Sequence, residues 1–240
     1  ATELIETEGR WRLGQIVAVF ASDTHLSEAT WPSRAQVRGD SFFGFQQVVD
    51  LAIANRCPLV LAGDCWELMH QSRPSSVTVE FVRGQLDRLK FAGCEMYFIN
   101  GQHDQLASPF WFNAVHDRPQ HVGQREFTLA GMRWFGLDFF EVARQQQAFE
   151  LIPAGVEGVV LHQQWREFTD SKFLSPMTLT DVPHGRLLIS GDMHQTIVDS
   201  STGRTFVSPG ATHMRSLAEP EGHNGIVMRS GGEVEPYAIK

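Results

Sequence analysis

The sequence predicts an α/β fold whose first half is a parallel sheet, and three observations carry that expectation. Three short apolar runs, Ile16–Ala21, Leu59–Ala62 and Met96–Ile99, recur through the first 104 residues, with the lengths of buried strands. Between them lie two stretches whose apolar residues fall three and four apart, the period of a helix with one buried stripe. Each run stops at a cluster of polar residues, as strands do where they leave a sheet.

Taken in order, the first run is followed by Ser22, Asp23, Thr24 and His25, then by a polar loop rich in arginine and glycine. Phe42, Phe45, Val49, Ala52 and Ile53 mark the first helix. After Pro58 the second run ends in Gly63 and Asp64. A second helix carries Val82, Leu86 and Leu89 on one side, with Ser75 or Ser76 as its cap and a stop near Gly93. The third run leads into Gly101, Gln102, His103 and Asp104. Strand, helix, strand, helix, strand is two βαβ units. Beyond them, residues 127–140 read as a hairpin about Gly131, and residues 141–152 as helical. Residues 158–161 form a buried strand ending at His162, and residues 187–190 another, ending at Gly191, Asp192, Met193 and His194. Short strands then continue to residue 240, with no repeat or linker, so one domain spanning 1–240 is expected.

Composition narrows the function. With 42% apolar and 20% charged residues and no apolar run long enough to span a bilayer, a globular chain without a membrane segment is expected. The start lacks the pattern of a secretory signal, and the three cysteines are odd in number and scattered, which together suggest a cytoplasmic location. A net charge of −8 repels polyanions over most of the surface. A phosphate-binding site would need its own positive charge, and a metal centre supplies it.

Five apolar runs thus end in Asp23 with His25, in Asp64, in Gln102 with His103 and Asp104, in His162, and in Asp192 with His194. Ligands and catalytic groups collect beyond the carboxyl ends of strands, and imidazoles and carboxylates bind divalent cations of borderline hardness. Singly, Asp64 is as well read as a turn residue, His162 as a satisfied buried histidine, and Asp23 as a residue bonding its own turn. A structural role at each point leaves the coincidence unexplained.

The series Asp23-x-His25, Gly63-Asp64, Gly101-Gln102-His103-Asp104, His162 and Gly191-Asp192-x-His194 resembles the calcineurin-like metallophosphoesterases, in order, from about residue 16 to about residue 215. That resemblance implies an α/β fold of four layers: a β-sandwich of two mixed sheets flanked by helices, with two metals at one rim. Within the superfamily, FQQVVDLAIANRCPLVLAGD, VVLHQQW and SPGATHMRSLAEPEG look like the nuclease subunit of double-strand-break repair complexes, the SbcD type. By resemblance the first cation takes Asp23, His25, the bridging Asp64 and His194. The second takes Asp64, Gln102, His162 and Asp192. Gln102 stands where the family has asparagine and Asp192 where it has histidine, which makes the second site richer in oxygen. Mn²⁺ is the leading expectation, ahead of Mg²⁺, Fe²⁺ and Zn²⁺.

The resemblance further implies that His103 stabilises the phosphate or protonates the leaving oxygen, with Asp104 holding its imidazole. DNA is the expected substrate, with Arg34, Arg38, Arg73, Arg166 and Arg215 in loops that could reach its backbone. In the SbcD-like branch a coiled-coil ATPase is the partner; here the 46 residues after His194 read as strands finishing the sandwich, which leaves three expectations open: a minimal nuclease of phage or prophage type, a truncated chain, or an enzyme that acts alone. Homodimerisation is left open. Two other readings stand beside this one: a hydrolase of small phosphodiesters or lipid-linked pyrophosphates, and a non-catalytic interaction protein whose altered second site has lost its metal.

Overall fold

The computed structural model describes residues 14–28, 40–68, 73–105, 111–169, 177–213 and 223–239. In chain order the elements are β1 (Ile16–Ala21), α1 (Asp40–Asn55), β2 (Leu59–Ala62), α2 (Ser76–Phe91), β3 (Met96–Ile99), a single turn α3 (Gln102–Gln105), α4 (Trp111–Val115), β4 (Pro119–His121), β5 (Arg125–Leu129) and β6 (Met132–Gly136). There follow α5 (Gln145–Glu150), β7 (Gly158–His162), β8 (Leu187–Gly191), β9 (Ile197–Asp199), β10 (Thr205–Ser208), β11 (His223–Arg229) and β12 (Val234–Ile239).

Two six-stranded mixed sheets result, ordered β12-β11-β1-β2-β3-β4 and β5-β6-β7-β8-β10-β9. β1 to β4 are parallel, and β11 and β12 extend that sheet antiparallel. In the second sheet β6, β7, β8 and β10 are parallel, with β5 and β9 antiparallel at the two edges.

Alternation along the strands sorts the core into three layers. Val19, Ala21, Leu59, Leu61 and Phe98 face α1 and α2, meeting Phe45, Val49, Val82, Leu86 and Leu89. Their neighbours Phe20, Val60, Ala62, Tyr97 and Ile99 face the second sheet, against Trp134, Val160, Ile189 and Val207. Val159, Leu161, Leu188 and Phe206 look outward to Phe149, Ile152 and Trp165. Strands buried on both faces are written as unbroken apolar runs, which is why they could be read.

Local chemistry sets the boundaries. Ser75 caps α2, its side chain accepting from the Thr78 N–H. The hairpin β5–β6 turns on Ala130 and Gly131, both at positive φ, the two-residue geometry that matches strand twist. Residues 141–152 are less regular than the periodicity suggests, a 3₁₀ turn at Val142–Arg144 leading into α5. Among the described residues no helix is long and apolar enough to cross a membrane.

Candidate metal centre

The strand ends of both sheets meet at one rim. Beyond β1 and β2 the chains stay in step: Asp23 N–H donates to Gly63 O, His25 N–H to Asp64 O and Leu26 N–H to Cys65 O, at 3.1, 2.9 and 2.8 Å. Asp23, His25, Asp64, Asp192 and His194 all adopt positive φ, at 52°, 38°, 47°, 79° and 50°. Such conformations cost non-glycine residues roughly 1–3 kcal/mol each and persist where surrounding structure imposes them. Here they turn each chain sharply as it leaves its strand, so that side chains from separate loops face one centre.

Close backbone approach makes two glycines obligatory. A Cβ at Gly101 would lie 2.1 Å from Asp64 Oδ1, and one at Gly63, whose φ is +86°, would lie 2.4 Å from His162 Nδ1.

Asp64 is the centre. Its Oδ1 accepts from the His103 backbone N–H at 2.9 Å, which leaves Oδ2 facing His162 Nε2 at 3.3 Å, His25 Nε2 at 3.7 Å and His103 Nε2 at 3.8 Å. His162 donates its Nδ1–H to the Ala62 carbonyl at 2.7 Å, which turns Nε2 toward Asp64. Nε2 of His162 and Oδ2 of Asp64 are buried 3.3 Å apart, and beyond each other neither has a hydrogen-bond partner. A buried carboxylate and imidazole that have only each other in a dry site mark a position for positive charge, a proton or a metal ion. Asp23, also fully buried, lies 3.4 Å from His194 Nε2 and 3.9 Å from His25 Nε2 and accepts from the Asp192 backbone N–H. Ligand atoms of Asp23, His25 and His194 lie within 4.8 Å of one another, and so do those of Asp23, Asp64 and His162. Gln102 and Asp192 come together as well, the Gln102 amide donating to Asp192 Oδ1 at 3.0 Å.

The titrations express this crowding. Burial opposes ionisation of Asp23, but His194, His162 and His25 outweigh it and hold the carboxyl well below its usual range. Burial likewise opposes ionisation of Asp64, and His162 and His25 overcome it. The His162 imidazole is disfavoured as a cation by burial, yet Asp64, Asp23 and Asp192 raise its pKa well above the ordinary value. Asp192 is pushed up to about 6, chiefly by burial, with Asp23 and Asp64 adding to the shift and His162 opposing it.

One expectation is corrected. Asp104 does not hold the His103 ring: its carboxylate accepts from the backbone N–H groups of Cys65, Trp66 and Gly101 at 3.1, 2.8 and 2.8 Å. On the helical turn α3, adjacent side chains point about 100° apart, so Asp104 is directed inward while His103 faces the centre. Burial first and the charge of Asp64 second push Asp104 up to about 7.

The group beside His103 is Glu67, which the motif reading had assigned no role at the site. Its Oε1 lies 2.9 Å from His103 Nδ1 and its Oε2 3.1 Å from His25 Nδ1. One carboxylate therefore hydrogen-bonds the His103 imidazole and comes within ion-pair range of the His25 imidazole, and the Nε2 atoms of both rings lie 3.8 and 3.7 Å from Asp64 Oδ2. Its position three residues after Asp64 in Gly63-Asp64-Cys65-Trp66-Glu67 was the available signal.

Of the arginines considered for DNA contact, Arg34, Arg38 and Arg215 lie outside the described residues. Arg73 and Arg166 are exposed, and Arg166 acts electrostatically on Asp181.

No protein-family model matches the sequence, and no curated protein sequence matches it significantly. Among solved structures the chain is similar to TT1561 of Thermus thermophilus, over 94% of this chain and 99% of that one, at 11% identity and a TM-score of 0.59. It is also similar to a candidate 5′-nucleotidase of Staphylococcus aureus, at 14% identity and a TM-score of 0.51, over 92% of this chain and 52% of that protein. An archaeal phosphodiesterase aligns over 92% of this chain and 98% of its own length, at 9% identity and a TM-score of 0.49. At such identities the likeness speaks to architecture alone. Two mixed six-stranded sheets flanked by helices give this chain the metallophosphoesterase fold.

Proposed function

We propose that the protein is a metal-dependent phosphodiesterase whose two cations flank Asp64 and whose substrate is DNA. The observation that carries this reading is the buried pair of Asp64 Oδ2 and His162 Nε2, 3.3 Å apart and with no hydrogen-bond partner beyond each other. A proton alone could bridge them, but five more groups of metal-ligand type, Asp23, His25, Gln102, Asp192 and His194, converge on the same rim.

The residues fit a pair of divalent ions. Asp23, His25, Asp64 and His194 would hold one, through two nitrogens and two carboxylates. Asp64, Gln102, His162 and Asp192 would hold the other, with a single nitrogen, which favours Mn²⁺ or Mg²⁺ there. For its carbonyl oxygen to serve, the Gln102 amide must turn from the orientation in which it donates to Asp192. When bound, such ions neutralise phosphate charge and make water more acidic.

The chain supplies the rest. His103, its Nδ1 2.9 Å from Glu67 Oε1, presents Nε2 toward the centre, where it would donate a proton to the leaving oxygen. Asp104 pins the turn carrying His103 to the loop after β2, fixing that approach.

DNA as the substrate is supported by the resemblance of the sequence segments to SbcD-type nucleases. The net charge of −8 supports a second reading, a small phosphodiester substrate. If DNA is bound, a partner such as a coiled-coil ATPase supplies much of the affinity. Incubation with bis(4-nitrophenyl) phosphate and with labelled single- and double-stranded DNA, with and without Mn²⁺, separates the readings. Cleavage of DNA supports the first; hydrolysis of the small diester alone supports the second; loss of both in Asp64→Asn excludes a contaminant.

A further inference from the structure

We propose that Asp138 is a positioning residue for the metal centre, a carboxylate of the second sheet that fixes the turn from Asn100 to His103 where Gln102 and His103 can act; this rests on the phosphodiesterase reading. The turn is held by its backbone donors. The N–H groups of Asn100, Gly101 and His103 go to three carboxylates, those of Asp138, Asp104 and Asp64, at 2.7, 2.8 and 2.9 Å. Asp64 and Asp104 stand at strand ends of the first sheet, whereas Asp138 comes from the second, two residues beyond the end of β6.

Two glycines make room for this contact between the sheets. A Cβ at Gly136, the last residue of β6, would lie 2.3 Å from Val122 O and 3.1 Å from Ile99 Cγ2, so glycine is what lets β6 come this close to the first sheet. A Cβ at Gly123 would lie 2.3 Å from both carboxylate oxygens of Asp138. Leu137 N–H donates to Val160 O at 2.8 Å, tying the loop to its own sheet, and Phe139 N–H donates to Asn100 O at 2.8 Å. Both main-chain polar groups of Asn100 are thus taken by successive residues, which fixes the peptide plane on each side of it. The carboxylate is aimed in turn by β4: Asp138 Oδ1 lies 2.9 Å from His121 Nε2, and the side-chain nitrogen of Asn100 lies 2.9 Å from that same atom.

Position gives the contact a share in the reaction. Gln102 and His103 stand two and three residues beyond Asn100 on the single turn α3, from which the Gln102 amide meets Asp192 and His103 Nε2 faces Asp64. Asn100 is buried, so loss of the carboxylate leaves its N–H without an acceptor, and the turn must tilt to satisfy it. That tilt draws Gln102 from the second cation and His103 from the leaving oxygen, while Asp23, His25 and His194, which leave from other strands, keep their places. A misplacement of about 1 Å costs about 10²-fold in rate, and loss of a group that orients a metal ligand costs about 10–100-fold in metal affinity.

The test reads Mn²⁺ titration calorimetry and steady-state kinetics on bis(4-nitrophenyl) phosphate in Asp138→Ala, Asp138→Asn and Gly123→Ala, with urea unfolding to count the folded molecules. Per folded molecule, Asp138→Ala is expected to lower kcat by about tenfold or more with KM within about twofold. It should also weaken one of two Mn²⁺ sites by about tenfold while the other stays. Asp138→Asn, which keeps an oxygen for the Asn100 N–H, recovers most of both losses. Gly123→Ala displaces the carboxylate without removing it and should show the same two losses, which decides the matter where Asp138→Ala does not fold. Unchanged kcat and Mn²⁺ binding in Asp138→Ala overturn the proposal, as do equal weakening of both sites or an asparagine as damaging as alanine, since Asp138 is then only a structural link between the sheets. Failure of the unaltered protein to hydrolyse the diester sinks the phosphodiesterase reading while the Mn²⁺ titration still decides the role of Asp138; absence of Mn²⁺ binding overturns both.

Discussion

Glu67 places one carboxylate oxygen 2.9 Å from His103 Nδ1 and the other 3.1 Å from His25 Nδ1. Only the contact to His103, the group expected to donate a proton, is a hydrogen bond; the approach to His25 is an ion-pair distance. Loss of the anchor should act through His103. His103→Ala is expected to lower kcat by about 10²–10⁴. Glu67→Gln should lower it by a smaller factor while leaving KM nearly unchanged, and the double variant should be no worse than His103→Ala alone. Steady-state kinetics on bis(4-nitrophenyl) phosphate give all three values. Additive losses would show that Glu67 acts independently of His103.

Asp104 is a fastener for the loops on either side of it. Asp104→Asn keeps the shape but replaces one acceptor oxygen with an N–H group facing backbone donors. The variant should lose about 2–4 kcal/mol of stability in urea titration, the cost of buried donors left unpaired. An unchanged midpoint would remove the fastening role.

Asp192 and Gln102, bonded to each other, belong to the oxygen-rich half of the centre. Titration calorimetry with Mn²⁺ should resolve two sites in the unaltered protein. In Asp192→Ala one of them should weaken by about tenfold or more while the other stays. Equal weakening of both would mean that the two halves are not separable.

Alkaline stability carries a signature far from the metal centre. Burial first and Cys94 second push the Cys57 thiol up from 9.0 to about 12. Above about pH 9 the unfolded chain gives up this proton while the folded one keeps it, so stability falls as pH rises through that window and is unaffected below it. At about pH 10.5 this one group costs about 2 kcal/mol. Urea titrations at about pH 8 and about pH 10.5 should show a loss that is smaller by about that amount in Cys57→Ala.

The parallel strands and their polar ends were legible because burial on both faces leaves continuous apolar runs, as in β2 and β3. β4 was not, being a three-residue edge strand, Pro-Gln-His, with one buried side chain. Nor does periodicity say that β7 and β8 sit in a different sheet from β2; that follows from long-range pairing with β6. At the site, residue types at strand ends indicated which groups gather, but adjacency misled at Asp104. Neighbours on a helical turn diverge, whereas Glu67 reaches His103 from a different loop.

The central claim is that cations lie between Asp64 and the histidines around it. Crystals equilibrated with Mn²⁺ and measured at the manganese absorption edge test it most directly. Two anomalous peaks are predicted on either side of Asp64 Oδ2, one toward Asp23, His25 and His194 and one toward His162 and Asp192. A map with no peak in contact with Asp64 or His162 would contradict the account.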